Sequence, residues 1–120
     1  MKRRLAIALS SLLLSGCLVP TEPSKQADEI ASVAAEGALL AHDAAEGGTT
    51  ATFTRVHSGE LRSKLAQLDP KVDVQVLSRL LATTDEALGL LEDDPADRTR
   101  ARVVERRLDR ASRRAARYAG

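Results

Sequence analysis

Three breaks, Gly47-Gly48, Asp69-Pro70 and Asp94-Pro95, divide the chain behind residue 23 into four stretches of similar length, each roughly twenty residues. Such stretches are too long for ordinary strands and long enough for packed helices. Each Asp-Pro pair reads as an N-cap aspartate followed by proline at the first helical position, where the missing N–H costs nothing. The pattern predicts helices over 24–46, 50–68, 70–92 and 95–118. Within the third, Val74, Leu77, Leu81, Thr84, Leu88 and Leu91 recur at alternating three- and four-residue steps. The fourth repeats this with Ala101, Val104, Leu108, Ala111, Ala115 and Tyr118. Heptad spacing favours shallow helix crossings, and short connections force neighbouring helices to run antiparallel. The expected fold is all-α, an antiparallel up-down four-helix bundle.

The core of such a bundle is thin. The first helix offers Ile30, Val33 and Leu40 with Ala27, Ala34, Ala41 and Ala44, and the only aromatic residues are Phe53 and Tyr118. Alanine seams bring helices close together but bury little area, so the hydrophobic stabilisation is modest at about 25 cal/mol per Å². Heptads on two helices would also serve association between chains, which leaves a homo-oligomer as an alternative to a monomer.

The leading residues have a different character. Lys2, Arg3 and Arg4 precede a ten-residue run from Leu5 to Leu14, followed by Leu14-Ser15-Gly16-Cys17. That run falls short of the roughly 18–20 apolar residues needed to cross a bilayer, and basic start, apolar run and small residues are the parts of a secretory signal. The ending resembles the lipobox of bacterial lipoproteins. The resemblance implies cleavage between Gly16 and Cys17 and attachment of a diacylglycerol and palmitate-like acyl chains to Cys17. It divides the chain into a signal peptide at 1–16, a lipidated tether at 17–23 and a helical domain at 24–120. It also implies a place in the bacterial cell envelope. With Leu18 rather than aspartate after the cysteine, that place is the outer membrane of a Gram-negative cell, or the outer face of the plasma membrane of a Gram-positive one. Cys17 is the only cysteine, so its conversion to a thioether leaves no free thiol in an oxidising compartment. The tether carries Pro20 and Pro23, and the six residues after Cys17 reach roughly 20 Å when extended at about 3.1 Å each.

Few constellations for chemistry accompany this. No histidine–carboxylate pair sits where it would activate a serine or threonine, and no glycine-rich phosphate loop is present, so the expectation is a protein that is not an enzyme and has no cofactor. His42 and His57 flank the Gly47-Gly48 break, with Glu46 and Glu60 one turn away. On a helical projection His57 falls on the apolar face of the second helix with Phe53, Leu61, Leu65 and Leu68. The Glu-x-x-His motif of di-iron bundles is missing, because residues 39 and 54 are leucine and threonine. A core histidine at 57 and a surface histidine at 42 is therefore the expectation, with a metal- or small-ligand-binding bundle as the alternative.

Charge is the strong asymmetry. Residues 17–95 carry six Lys/Arg against fourteen Asp/Glu, whereas residues 96–120 carry nine Arg against three Asp/Glu. Arg102, Arg106, Arg110, Arg113 and Arg117 form a stripe opposite the apolar seam of the fourth helix. An exposed stripe is ordinarily a solvated face, helped here by cations near a helix C-terminus. Beside a membrane it becomes a docking face for an anionic envelope polymer, a lipid headgroup or an acidic envelope protein. Nucleic acid suits the charge but not the compartment, and no aromatic platform accompanies it. The function expected is binding by a lipid-anchored bundle, with a structural, self-associating spacer as another alternative.

Overall fold

A computed structural model describes residues 19–120; the expected signal peptide at 1–16, its expected cleavage point and Cys17 lie outside the described residues. Four helices follow in order: α1 (Pro23–Glu46), α2 (Ala51–Leu68), α3 (Gln75–Asp93) and α4 (Arg98–Ala119), with a single 3-10 turn, Asp69–Lys71, after α2. They form an antiparallel up-down bundle. α1 and α4 share the largest interface, and α2 packs with α3 on the other side. His42 of α1 meets Glu105 of α4, and further along Ala31 meets Ser112, so first and last helices run in opposite directions. No helix among the described residues is long and apolar enough to cross a membrane.

The breaks act through distinct chemistry. Gly47 ends α1 at φ +73°, a left-handed conformation that suits glycine. Its N–H reaches Ala44 O and the next N–H, from Gly48, reaches Asp43 O, which satisfies two of the carbonyls left over at the helix end. Thr50 caps α2 by accepting from the Phe53 N–H at 3.1 Å.

The two Asp-Pro pairs do not start helices as the sequence suggests. Asp69 and Pro70 belong to the 3-10 turn that prolongs α2, and α3 begins only at Gln75, behind Val74, which makes no side-chain cap. Asp94 closes α3, and it is Asp97 that caps α4, accepting from the Arg100 N–H at 3.0 Å. Proline lacks an N–H, so it sits equally well in the turn that ends one helix and in the first turn of the next. The aspartate that caps is the one whose carboxylate meets a free helical N–H.

The seams bury as their spacing requires. On α1, Ala27, Ile30, Ala34, Gly37, Ala41 and Ala44 face inward; on α4, Ala101, Val104, Leu108, Ala111 and Ala115 do. Small residues on both helices account for the extent of their contact, since short side chains let backbones approach. α3 contributes mostly leucines, Leu77, Leu81, Leu88 and Leu91 among them, which fill the space that the alanines leave.

Two expected core residues lie elsewhere. Tyr118 is 42 % exposed and Phe53 55 % exposed. The inward face of α2 is Thr54, Ser58, Leu61, Leu65 and Leu68, one position round from the face on which His57 was placed. Two hydroxyls turn inward on α2 because each bonds within its own helix. Thr54 Oγ1 donates to Thr50 O at 2.9 Å and Ser58 Oγ to Thr54 O at 2.7 Å, so neither is buried unpaired.

The tether is not a free spacer. Val19 packs against the core, and the fully buried Gln26 donates through Nε2 to Pro20 O at 3.1 Å and to Lys71 O at 2.8 Å. One side-chain amide thus ties the tether, the first turn of α1 and the α2–α3 connection together. The chain enters the bundle at the end where α4 finishes.

Candidate functional site

The nine arginines of residues 96–120 are the feature to place, and the structure separates them by the neighbour each one meets. Arg102 is held between Glu46 of α1 at 3.2 Å and Glu105 at 3.6 Å. Arg113 pairs with Asp109 one turn earlier, and Arg100 with Asp93 at 3.4 Å. Arg106 borders a shallow hollow between α1 and α4 that also contains His42, Glu105 and Asp109. On the flank facing α1, Arg102, Arg106 and Arg113 thus have carboxylates beside them, so their field is largely cancelled within the molecule.

The flank facing α3 differs once past Arg100, whose partner Asp93 belongs to α3. A groove between α3 and α4 begins near the chain-entry end with Val76, Arg79, Arg114, Arg117 and Tyr118. It continues past Leu80 and Thr83 to Arg107 and Arg110. No carboxylate lines either part. Among the described residues, Arg79, Arg107, Arg110, Arg114 and Arg117 make no ion pair within 4.0 Å, and all five are exposed. Like charges held along one low-dielectric wall reinforce one another's field and attract a multivalent anion. Arginine suits that task, since its planar fork meets phosphate or carboxylate oxygens in pairs.

The expected stripe therefore divides. Arg110 and Arg117 line the carboxylate-free groove, whereas Arg102 and Arg113 are paired and Arg106 faces the acidic hollow. Arg79, Arg107 and Arg114 enter from outside the expected set. A signal for two of them was present: Arg107, Arg110, Arg114 and Arg117 step by three and four residues alongside the seam Leu108, Ala111, Ala115. Arg79 lies on another helix, and nothing in its local sequence announces that it joins them.

The histidines belong to separate clusters. His42 Nδ1 lies 3.0 Å from Glu105 Oε2, with Glu46 at 4.0 Å. His57 stacks on Phe53, ring centroids 5.5 Å apart, and lies 3.4 Å from both Glu36 and Glu60. His57 sits at the rim rather than in the core, its side chain 30 % exposed. Among the described residues, no group of three or more His, Cys, Asp or Glu side chains is arranged to hold a metal ion.

One further charged cluster is structural. Arg62 on α2 reaches Asp85 and Glu92 on α3, each at 2.9 Å, and forks onto both Asp85 oxygens. Hydrogen bonds donated to Asp85 first and to Glu92 second raise the pKa of the Arg62 guanidinium above its ordinary value. Gly59 and Gly89 leave room for this clamp: a Cβ on Gly59 would lie 2.7 Å from Glu92 Oε2, and one on Gly89 3.3 Å from the Arg62 guanidinium carbon.

No protein-family model matches the chain, and comparison with curated proteins and with solved structures gives no significant match.

Proposed function

We propose that the protein is a lipid-anchored lipoprotein of the bacterial cell envelope whose helical bundle works by binding an anionic partner rather than by catalysis. The observation that carries the binding half is the groove between α3 and α4, where five exposed arginines stand without a carboxylate among them. Charges present only for solubility are usually interspersed with the opposite sign, as on the α1 flank of the same helix. The anchoring half rests on Leu14-Ser15-Gly16-Cys17 behind a basic, apolar leader.

Metabolic labelling with a fatty acid tests the anchor. Label and membrane retention should accompany a chain shortened to begin at Cys17. Cys17→Ser should yield an unlabelled, uncleaved precursor, and normal processing of that variant would end the lipoprotein reading. Binding is tested on isolated envelope material at low and moderate salt, where attraction to an anion weakens as salt screens it. Replacement of the five groove arginines by glutamine should abolish the salt-sensitive fraction. Equal binding by both proteins would make the groove a solvated surface.

A further inference from the structure

The tether and the mouth of the arginine groove lie at the same end of the bundle. Gln26 holds Pro20 against Lys71 at the α2–α3 connection, and the groove opens at the first turn of α3 and the last turn of α4, with Val76 and Tyr118 at its mouth. Val19 is packed on the core. Cys17 is two residues further, so no more than about 7 Å of chain separates it from the packed bundle. An acyl chain on Cys17 therefore fixes this end at the bilayer surface, where headgroup layers are only about 5–7 Å deep.

We infer that the groove is a docking surface for the anionic phospholipid headgroups of the membrane that anchors the chain. Arg79, Arg114 and Arg117 supply the phosphate contacts, and the exposed Tyr118 and Val76 supply the interfacial ones. The inference rests on the lipid-anchored reading above. Two observations, together with the anchor reading, favour a lipid surface over a soluble anion. The anchor leads to it. The groove is open along one side of the bundle rather than enclosed. An exposed tyrosine beside a small apolar residue and arginines matches the chemistry of the interfacial zone, where amphipathic rings settle at headgroup level.

The same end also carries carboxylates. Glu22, Asp69 and Asp73 are exposed on the tether and on the connection before α3. They repel the surface, so the tip of the bundle does not lie flat on it. The contact is made by the α3–α4 flank, and the bundle tilts toward that side. From Tyr118 back to Arg107 is eleven residues of helix, about 16 Å of rise, so a tilted flank brings the upper arginines within about two Debye lengths of the headgroups.

Tyr118 makes the test direct, because the chain contains no other tyrosine and no tryptophan. The full chain is added to phosphatidylcholine vesicles containing phosphatidylglycerol, with a nitroxide quencher on the headgroup of one lipid or the other at equal mole fraction. Tyrosine emission should be quenched roughly fivefold more effectively by the labelled anionic lipid, the weight of about one basic residue's attraction at the surface. Replacement of Arg79, Arg114 and Arg117 by glutamine should bring the two lipids to parity. The charge-matched control, with Arg102, Arg106 and Arg113 replaced by glutamine, should keep the preference. Both variants should melt like the wild type, since exposed charges contribute little to stability.

Equal quenching by both lipids in the wild type, or an equal loss in the two variants, would overturn the inference. So would displacement of the labelled lipid by millimolar inorganic phosphate, which would make the groove a site for a free anion. The mass of Cys17 in the same sample separates the two readings: an unacylated cysteine ends the anchor reading, whereas lipid preference reads the groove alone.

Discussion

Gln26 has the most demanding position of any single residue. It is wholly buried, yet it is polar, and its Oε1 has no hydrogen-bond partner among the described residues. Its Nε2 serves two carbonyls, so the orphaned oxygen is the cost of an amide that donates in both directions. A buried amide atom without a partner is unfavourable by about 1–3 kcal/mol. It is offset by closure of the chain-entry end, where the tether would otherwise hang from α1. Gln26→Ala removes both bonds and should lower stability by about 2 kcal/mol. Its sharper signature is local: exchange at the amide of residue 26, which bonds Glu22 O, and of Val72, which bonds Asp69 O, should accelerate far more than exchange in α3. Uniform acceleration across the four helices would mean that Gln26 serves the core and not the tether. No pattern in the sequence marks this role, because a glutamine one turn into an amphipathic helix reads as a solvated residue.

At the scale of elements, helix faces were more legible than helix starts. The heptads of α3 and α4 lie inward with the exceptions of Tyr118, which is exposed, and Val74, which is half-buried ahead of the first turn of α3. A seam is a sum over many residues, so one misplaced member does not rotate it. A cap depends on one carboxylate and one N–H, which is why Asp97 could replace Asp94 in that role. α2 was the least legible helix. With Thr54 and Ser58 on its inward face, the aromatic Phe53 drew the apolar face round toward His57, and internal hydroxyl bonds reversed that preference. α2 and α3 are then fastened by Arg62. Because the Arg62 side chain is 38 % exposed, solvent screening limits the clamp to about 1 kcal/mol. Arg62→Lys keeps the charge but cannot fork onto two carboxylates, and most of that contribution should be lost. Chemical denaturation of Arg62→Lys beside Arg62→Met checks it: the lysine variant should fall close to the methionine variant rather than to the wild type.

For the molecule as a whole, Gly37 marks the place where all four helices converge. A Cβ on this α1 residue would lie 2.8 Å from Leu88 of α3, 2.9 Å from Leu108 of α4 and 3.8 Å from Leu61 of α2. Both nearer leucines are fully buried, so neither can swing into solvent to make room. Glycine inside a helix costs about 1 kcal/mol relative to alanine, and here that cost permits the tight approach of α1 to the rest. Gly37→Val should lower stability by about 1–3 kcal/mol through overpacking, as a shift in denaturation midpoint with unchanged slope. A midpoint equal to or above the wild type would show that the seam has room to spare. The large share of alanine in this core leaves little surplus apolar area to absorb such changes.

Local pattern alone determined that the chain is helical, that there are four helices and that they alternate in direction. Period, breaks and short connections are properties of neighbouring residues, and they admit few other arrangements. The lipobox resemblance is local in the same sense, carried by four consecutive residues and the leader before them. Tertiary structure decided which charges matter. Arg102 and Arg107 are five residues apart on one helix and equally basic, yet one faces Glu46 across the α1 interface and the other a groove without carboxylates. Electrostatic character belongs to the pair of surfaces that packing brings together. The sequence of one helix does not contain its neighbours, so the meeting of Arg79 with α4, and the placing of tether and groove at one end, became visible only in the folded bundle.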